Sequence, residues 1–384
     1  MKSFLKRTWA EIDLDALVHN FNTARNFTGG DILAVIKADA YGHGATTVAK
    51  ALPKRYAKFF AVASVDEAVE LRLAGIDKTI IILGYTPPAY SYILKQYDLI
   101  QTVHSLSYAR ELSSHAKANK CTYNCHLKID TGMSRIGFSW REDAKDDLLE
   151  CLALENLNFD GIYTHFAASD RSGDKKGNFT KTQFNRFTYV CDFLEQNGFT
   201  FKHKHCCNSA GIMLEKDMHF NMTRLGIMLY GLKPDADLEM MLDIKPVMTL
   251  KTLVTQVKTI KKGDVVSYGR TFKAKKDMKV ATLCVGYADG YPRALSNKGE
   301  VLIHGKRAKI LGRVCMDQVV IDVTHIDNVK AEDEVILFGN DLSVCEVAKK
   351  CGTINYEIVC GIPRRVPRVY YKNGKIYDIT NFLV

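Results

Sequence analysis

The sequence predicts an α/β fold: a (β/α)8 barrel of the TIM type over residues 1–237, then a β-strand-rich domain over residues 238–384. Three observations predict it. Eight short apolar runs alternate with helical stretches through roughly the first 235 residues. Beyond about residue 240 the apolar runs crowd together with only turns between them. The 384 residues suffice for one large barrel with an addition.

The eight runs are Ile32–Ile36, Phe59–Ala63, Thr79–Leu83, Leu99–Val103, Tyr123–Ile129, Phe159–Thr164, His203–Cys206 and a short one around Asn221–Arg224. Helical patterns fall between them. Val65–Ala74 carries Ala68, Leu71 and Leu73 opposite charged residues, Ser105–Ala118 behaves similarly, and Thr182–Gln196 stops at Asn197-Gly198. The stretch Lys233-Pro234-Asp235-Ala236-Asp237 marks the domain boundary. Strands are then expected at Val247–Ile260, Val280–Val285, Val319–Val323, Glu334–Phe338 and Val366–Tyr371. Only Ser343–Lys350 reads as helix there, with Ser343 as cap and Glu346 three residues on.

Composition excludes several classes. No apolar stretch approaches membrane-spanning length, and the charged N-terminus lacks a signal-peptide core, so no membrane is expected as partner. Eleven cysteines, an odd number, are scattered, several within apolar runs; this favours a reducing, cytoplasmic setting. The net charge of +10 has no nucleic-acid motif beside it, and the lysines between Lys245 and Lys279 alternate with apolar residues as on a solvated sheet face. No nucleic-acid partner is expected.

Lys37 ends the run Ile32-Leu33-Ala34-Val35-Ile36 and precedes Ala38-Asp39-Ala40-Tyr41-Gly42-His43-Gly44. In such barrels chemistry sits at the C-terminal strand ends. Lys37, Lys128, His165 and Arg224 all fall at expected strand ends, and Ser209 follows just after one. Burial disfavours ammonium and makes an amine nucleophilic, able to form a Schiff base with a carbonyl cofactor such as pyridoxal phosphate. Taken alone, Lys37 reads more simply as a lysine snorkelling from a strand end.

The full string Ala34–Gly44 resembles the cofactor-lysine motif of alanine racemases. The resemblance continues through His126–Gly137, Tyr163–Phe166, Asn208–Ala210 and Arg224–Ile227, then Val266–Gly269, Gly286–Arg293, Gly312–Gln318 and Thr353–Glu357. It implies a pyridoxal 5'-phosphate enzyme that interconverts L- and D-alanine, as a homodimer with shared active sites, supplying D-alanine for peptidoglycan. It further implies two acid–base groups on opposite faces of the reacting centre: Lys37, and Tyr268 from the second subunit. Tyr268 would be assisted through His165 by Arg224, which faces the cofactor's pyridine nitrogen. Arginine stays protonated, so the ring is left a weak electron sink, which favours racemisation. By the same resemblance Tyr41, Ser209, Tyr356 and the amides of Gly226 and Ile227 hold the phosphate. Arg135 and the Met316 amide of the second subunit take the substrate carboxylate. Asp317 lies beside them and lines the approach channel with Tyr287 and Arg293. Lys128 matches a lysine that is carbamylated in many relatives; the resulting anion would hold Arg135 in place. Taken alone, Tyr268 reads as a surface turn residue and Ser209 as a helix cap.

His203, His205, Cys206 and Cys207 look like metal ligands, but alternate strand residues face opposite ways, so barrel packing is expected and no metal. Departures from the family's pattern are small: Arg270 and Phe272 after Gly269, and Cys206-Cys207 before Asn208. A non-catalytic carrier of the cofactor would resemble the first domain only. A decarboxylase of this architecture would carry an acidic residue in place of Arg224. A racemase for other amino acids differs by few pocket contacts.

Overall fold

The structure, a computed structural model, describes residues 4–170, 179–213, 216–235 and 238–383. Ala236 and Asp237, the end of the expected domain boundary, lie outside the described residues.

The chain opens with strand β1 (Thr8–Asp13) and then a helix, Leu14–Thr28. Asp13 caps that helix, its carboxylate accepting from the amides of Asp15 and Ala16, both at 2.9 Å. The barrel strands follow: β2 (Asp31–Val35), β3 (Phe59–Val62), β4 (Thr79–Ile82), β5 (Ile100–Val103) and β6 (Tyr123–Asp130). After a two-residue strand, β7 (Phe138–Ser139), come β8 (Leu157–Tyr163), β9 (His203–His205) and β10 (Met222–Leu225). All pair in parallel in the order β10-β2-β3-β4-β5-β6-β8-β9, with β7 alongside β6. The Arg224 amide donates to the Cys207 carbonyl at 3.0 Å, joining the two ends of that order. Ile80, Ile81 and Ile82 are all fully buried, as strands covered on both faces require.

Every expected barrel strand is present. Seven of the eight end one residue from the expected limit, and two of these shifts move site residues. The second strand of the chain stops at Val35, so Lys37 begins the next turn rather than closing the strand; β6 runs on to Asp130, so Lys128 lies inside it.

The second domain starts with the long strand β11 (Met248–Ile260), followed by β12 (Val265–Val266) and β13 (Phe272–Lys273), which pair only with each other as a small two-stranded sheet. β14 (Met278–Leu283), β15 (Glu300–Ile303), β16 (Lys306–Leu311), β17 (Val319–Asp322), β18 (Glu334–Phe338), β19 (Arg368–Lys372) and β20 (Lys375–Thr380) complete the main sheet with β11. The order is β14-β17-β16-β15-β18-β11-β1-β19-β20. β1, grouped with the barrel in the division at residue 237, pairs here, antiparallel to β11 and parallel to β19. The Ser343-capped helix is present at Val344–Cys351, and a second helix, Asn355–Cys360, carries Tyr356.

The turn after β2 is unusual. Ala38, Asp39, Ala40 and Tyr41 all have φ between +52° and +54°, a single left-handed turn. Each such residue costs about 1–2 kcal/mol outside glycine, so the surroundings must hold it. The Asp39 carboxylate accepts from the Ala45 amide at 2.8 Å, Glu67 accepts from the Ala38 amide at 2.7 Å, and buried Arg368 donates to the Gly42 carbonyl at 3.0 Å. Gly42 must be glycine: φ is +81°, and an added Cβ would lie 2.2 Å from the Val359 carbonyl oxygen.

Candidate active site

A cavity of about 520 Å3 opens at the C-terminal ends of the barrel strands. Lys37, Tyr41, Lys128, Arg135, His165, Ser209, Arg224, Gly226, Ile227 and Tyr356 all line it. Ten residues scattered over more than three hundred positions thus meet in one place.

The left-handed turn points two of them inward. Lys37 has its amine pKa lowered by burial first and then by Arg135. Tyr41 is buried, packing on Tyr230 and Tyr356 with ring centroids 5.0 and 6.1 Å away. Opposite it, the Ser209 hydroxyl accepts from the Gly226 amide at 2.9 Å. A Cβ on Gly226 would lie 3.1 Å from the Tyr41 hydroxyl and 3.5 Å from Ser209 Oγ. The missing side chain therefore leaves space between two hydroxyl donors.

At the other end sits Arg224, which is buried. Its Nη1 donates to His205 Nδ1 at 2.8 Å and to the His205 carbonyl at 3.1 Å. Its Nη2 donates to the carbonyls of Thr164 and Cys206, both at 2.8 Å, and to His165 Nδ1 at 3.1 Å. Arginine has no acceptor, so His165 Nδ1 must accept and its proton sits on Nε2. Burial and the charge of Arg224 hold His165 well below the usual imidazole range, so it is neutral.

Lys128 is buried, and its amine is lowered to about 7 by burial, then by Arg135 and Arg224. Lys128 and Arg224 flank the Tyr163 ring, 5.4 and 5.3 Å from its centroid. The Tyr163 hydroxyl is 2.9 Å from Thr102 Oγ1. Four cationic side chains (Lys37, Lys128, Arg135 and Arg224) face one cavity, which suits an anionic ligand.

Tyr268, Met316, Asp317, Tyr287 and Arg293 do not line it. All five lie on the second domain. Tyr268 is 74% exposed on a short turn after β12, and Met316 is 54% exposed. The turn beginning at Tyr287 is fastened to the Met316 loop: the Tyr287 amide donates to the Cys315 carbonyl and the Ala288 amide to that of Met316, both at 3.0 Å. Asp317 pairs with Arg365 at 3.0 Å. Arg293 is exposed at the start of another turn.

Tyr163, Asn208, Asp170 and Cys360 also line the cavity, and His205 stands directly behind it; the sequence assigns the first four no role and His205 only barrel packing. A signal existed for His205. It lies two residues from His203, so both rings face the barrel interior. His203 meets Phe59 edge-on, and the Cys206 and Cys207 thiols donate to the Met218 carbonyl. Among the described residues no group of three or more His, Cys, Asp or Glu side chains is placed to hold a metal ion.

Comparison with known proteins bears on the same residues. The family described as "Alanine racemase, N-terminal domain" matches residues 12–234, and "Alanine racemase, C-terminal domain" matches residues 247–370. An alanine racemase of Clostridium tetani is 44% identical over 390 residues, with both chains fully covered. A solved alanine racemase of Clostridium difficile 630 superposes with a TM-score of 0.94 at 39% identity, both chains covered in full. That of Bacillus anthracis, solved with bound L-Ala-P, gives 0.92 at 36% identity, covering 100% of this chain and 99% of that one. With the match running through both domains and the barrel-mouth motifs gathered in one cavity, this chain belongs to the alanine racemase family and is a racemase enzyme.

Proposed function

We propose that the protein is a pyridoxal 5'-phosphate-dependent alanine racemase that works through two bases, Lys37 and the partner subunit's Tyr268. The carrying observation is the cavity itself: one buried amine, hydroxyl and amide donors at one end, and a donor-only guanidinium at the other.

The residues fit the cofactor. Tyr41, Ser209, Tyr356 and the amides of Gly226 and Ile227 would hold its phosphate, with the gap at Gly226 admitting the oxygens. Lys37 would hold its aldehyde carbon, and Arg224 its ring nitrogen. When bound, the cofactor stabilises negative charge at the substrate α-carbon.

The chain's own groups supply the rest. The lowered pKa of Lys37 makes its amine a base on one face. The other face is served by the phenol of Tyr268, whose high exposure in a single chain supports its belonging to a partner's site in a homodimer. His165, neutral with Nε2–H, is the donor that steadies that phenol when it is ionised. Arg135 and the amide of the partner subunit's Met316 bind the substrate carboxylate, with Asp317 beside them; Tyr287 and Arg293 border the approach. An amine titrating near 7 is about half unprotonated at neutral pH, which supports carbamylation of Lys128, and the anion formed would sit beside Arg135 and relieve their repulsion.

No described helix is long and apolar enough to cross a membrane. With many scattered reduced cysteines this supports action in the cytoplasm, where D-alanine for peptidoglycan is made. Purified protein with pyridoxal phosphate, given a panel of L-amino acids and assayed on a chiral column, should convert L-alanine to the racemate and the others far more slowly. Absence of D-alanine would refute the reading.

A further inference from the structure

Arg224 raises a question of charge. It is buried among Lys37, Lys128 and Arg135, and among the described residues no carboxylate lies within ion-pair distance of it. A buried cation without a counter-charge is costly. The first carboxylate beyond its hydrogen bonds is two rings away.

Those bonds have a direction. Arg224 Nη1 can only donate, so His205 Nδ1 accepts and the His205 proton sits on Nε2. His205 Nε2 lies 3.1 Å from His126 Nδ1, which must then accept, placing the His126 proton on Nε2. His126 Nε2 lies 3.2 Å from Asp160 Oδ1, within ion-pair distance but outside hydrogen-bond geometry, and neither atom has a hydrogen-bond partner. Both imidazoles are fully buried. The barrel is shaped around this string: a Cβ on Gly161 would come within 2.4 Å of the His126 ring, and the β6–β8 register shifts between Cys125 and His126.

We propose that Asp160 is a positioning residue for the cofactor end of the site, fixing through His126 and His205 the orientation of Arg224 and supplying its remote counter-charge. The proposal rests on the reading of Arg224 as the group that meets the cofactor ring. Both Nη groups are taken by protein acceptors, so Nε is the nitrogen left to face the ligand, and any change in His205 turns it.

The test uses the full-length protein labelled with nitrogen-15 histidine and measured without cofactor. In the wild type His126 and His205 should both show the Nε2–H form. Asp160→Ala should convert both to a mixture of tautomers and weaken pyridoxal phosphate binding about tenfold, the scale of a lost contact with a charged group. Asp160→Asn keeps an acceptor but not the charge, so it should retain the tautomers and still weaken cofactor binding severalfold. An Nδ1–H or doubly protonated His205 in the wild type overturns the proposal. So do unchanged tautomers in a folded Asp160→Ala protein, or unchanged cofactor binding in Asp160→Asn, which remains informative if the alanine variant does not fold. The tautomers are read without cofactor or substrate, so their failure is distinct from failure of the racemase reading, which the chiral assay decides.

Discussion

Lys37 and Lys128 show how one cavity tunes two like side chains. Both lose solvation and both face Arg135, so both amines titrate below their ordinary value. Lys37→Ala should cut racemase activity by a factor on the order of 10²–10⁴ and abolish the absorbance of bound cofactor after dialysis. A retained band would contradict its assignment. For Lys128 the consequence is pH-dependent stability. The unfolded amine titrates near 10.5 and the folded one near 7, so between these values the unfolded chain binds the extra proton. Stability therefore rises as pH increases through that window, and the cost is fully present below it. In bicarbonate-free buffer Lys128→Met should raise the urea midpoint more at about pH 6 than at about pH 9.5. Equal gains at both would contradict the burial account. Lys37, Tyr41 and Arg224 were legible in the sequence because apolar runs end beside them. For His205 the spacing from His203 shows only packing, because its role depends on Arg224 on the adjoining strand.

Among the elements, the left-handed turn after β2 governs the site. It turns both Lys37 and Tyr41 into the cavity, and it survives because Asp39, Glu67 and Arg368 hold its backbone. Gly42→Ala should destabilise the protein by about 2–4 kcal/mol, adding left-handed strain to a clash with the Val359 carbonyl. Thermal or urea unfolding measures it; a neutral effect would mean the turn relaxes freely. The sequence could not reveal this turn, since alanine, aspartate and tyrosine rarely adopt positive φ and nothing local demands it. The strands were legible for the opposite reason: Thr79–Ile82 and Ile100–Val103 are β-branched runs between turns. Helix Asn355–Cys360, only six residues long, holds fewer than two helical periods, too few to read, although it carries Tyr356.

Over the whole molecule, the second domain has two relations to the barrel. Within one chain its Arg368 braces the Lys37 turn, and Tyr356 lines the cavity. Yet Tyr268 and Met316, on the same domain, do not line that cavity and stay exposed. The proposed homodimer reconciles these, because a surface useless to its own barrel can complete another. The β-rich character of the second half was legible from its turns. The membership of β1 was not, since its pairing partners lie more than two hundred residues downstream. Tyr268→Ala alone should also affect the two reaction directions unequally in solvent-deuterium exchange; equal exchange from both enantiomers would remove it as a face-specific base.

The most direct measurement of the shared two-base site mixes two inactive proteins, Lys37→Ala and Tyr268→Ala, and lets their subunits exchange. Random pairing makes half the dimers mixed, each with one complete site, so activity should recover to about one quarter of wild type. No recovery in verified mixed dimers would show that each chain completes its own site and would contradict the account.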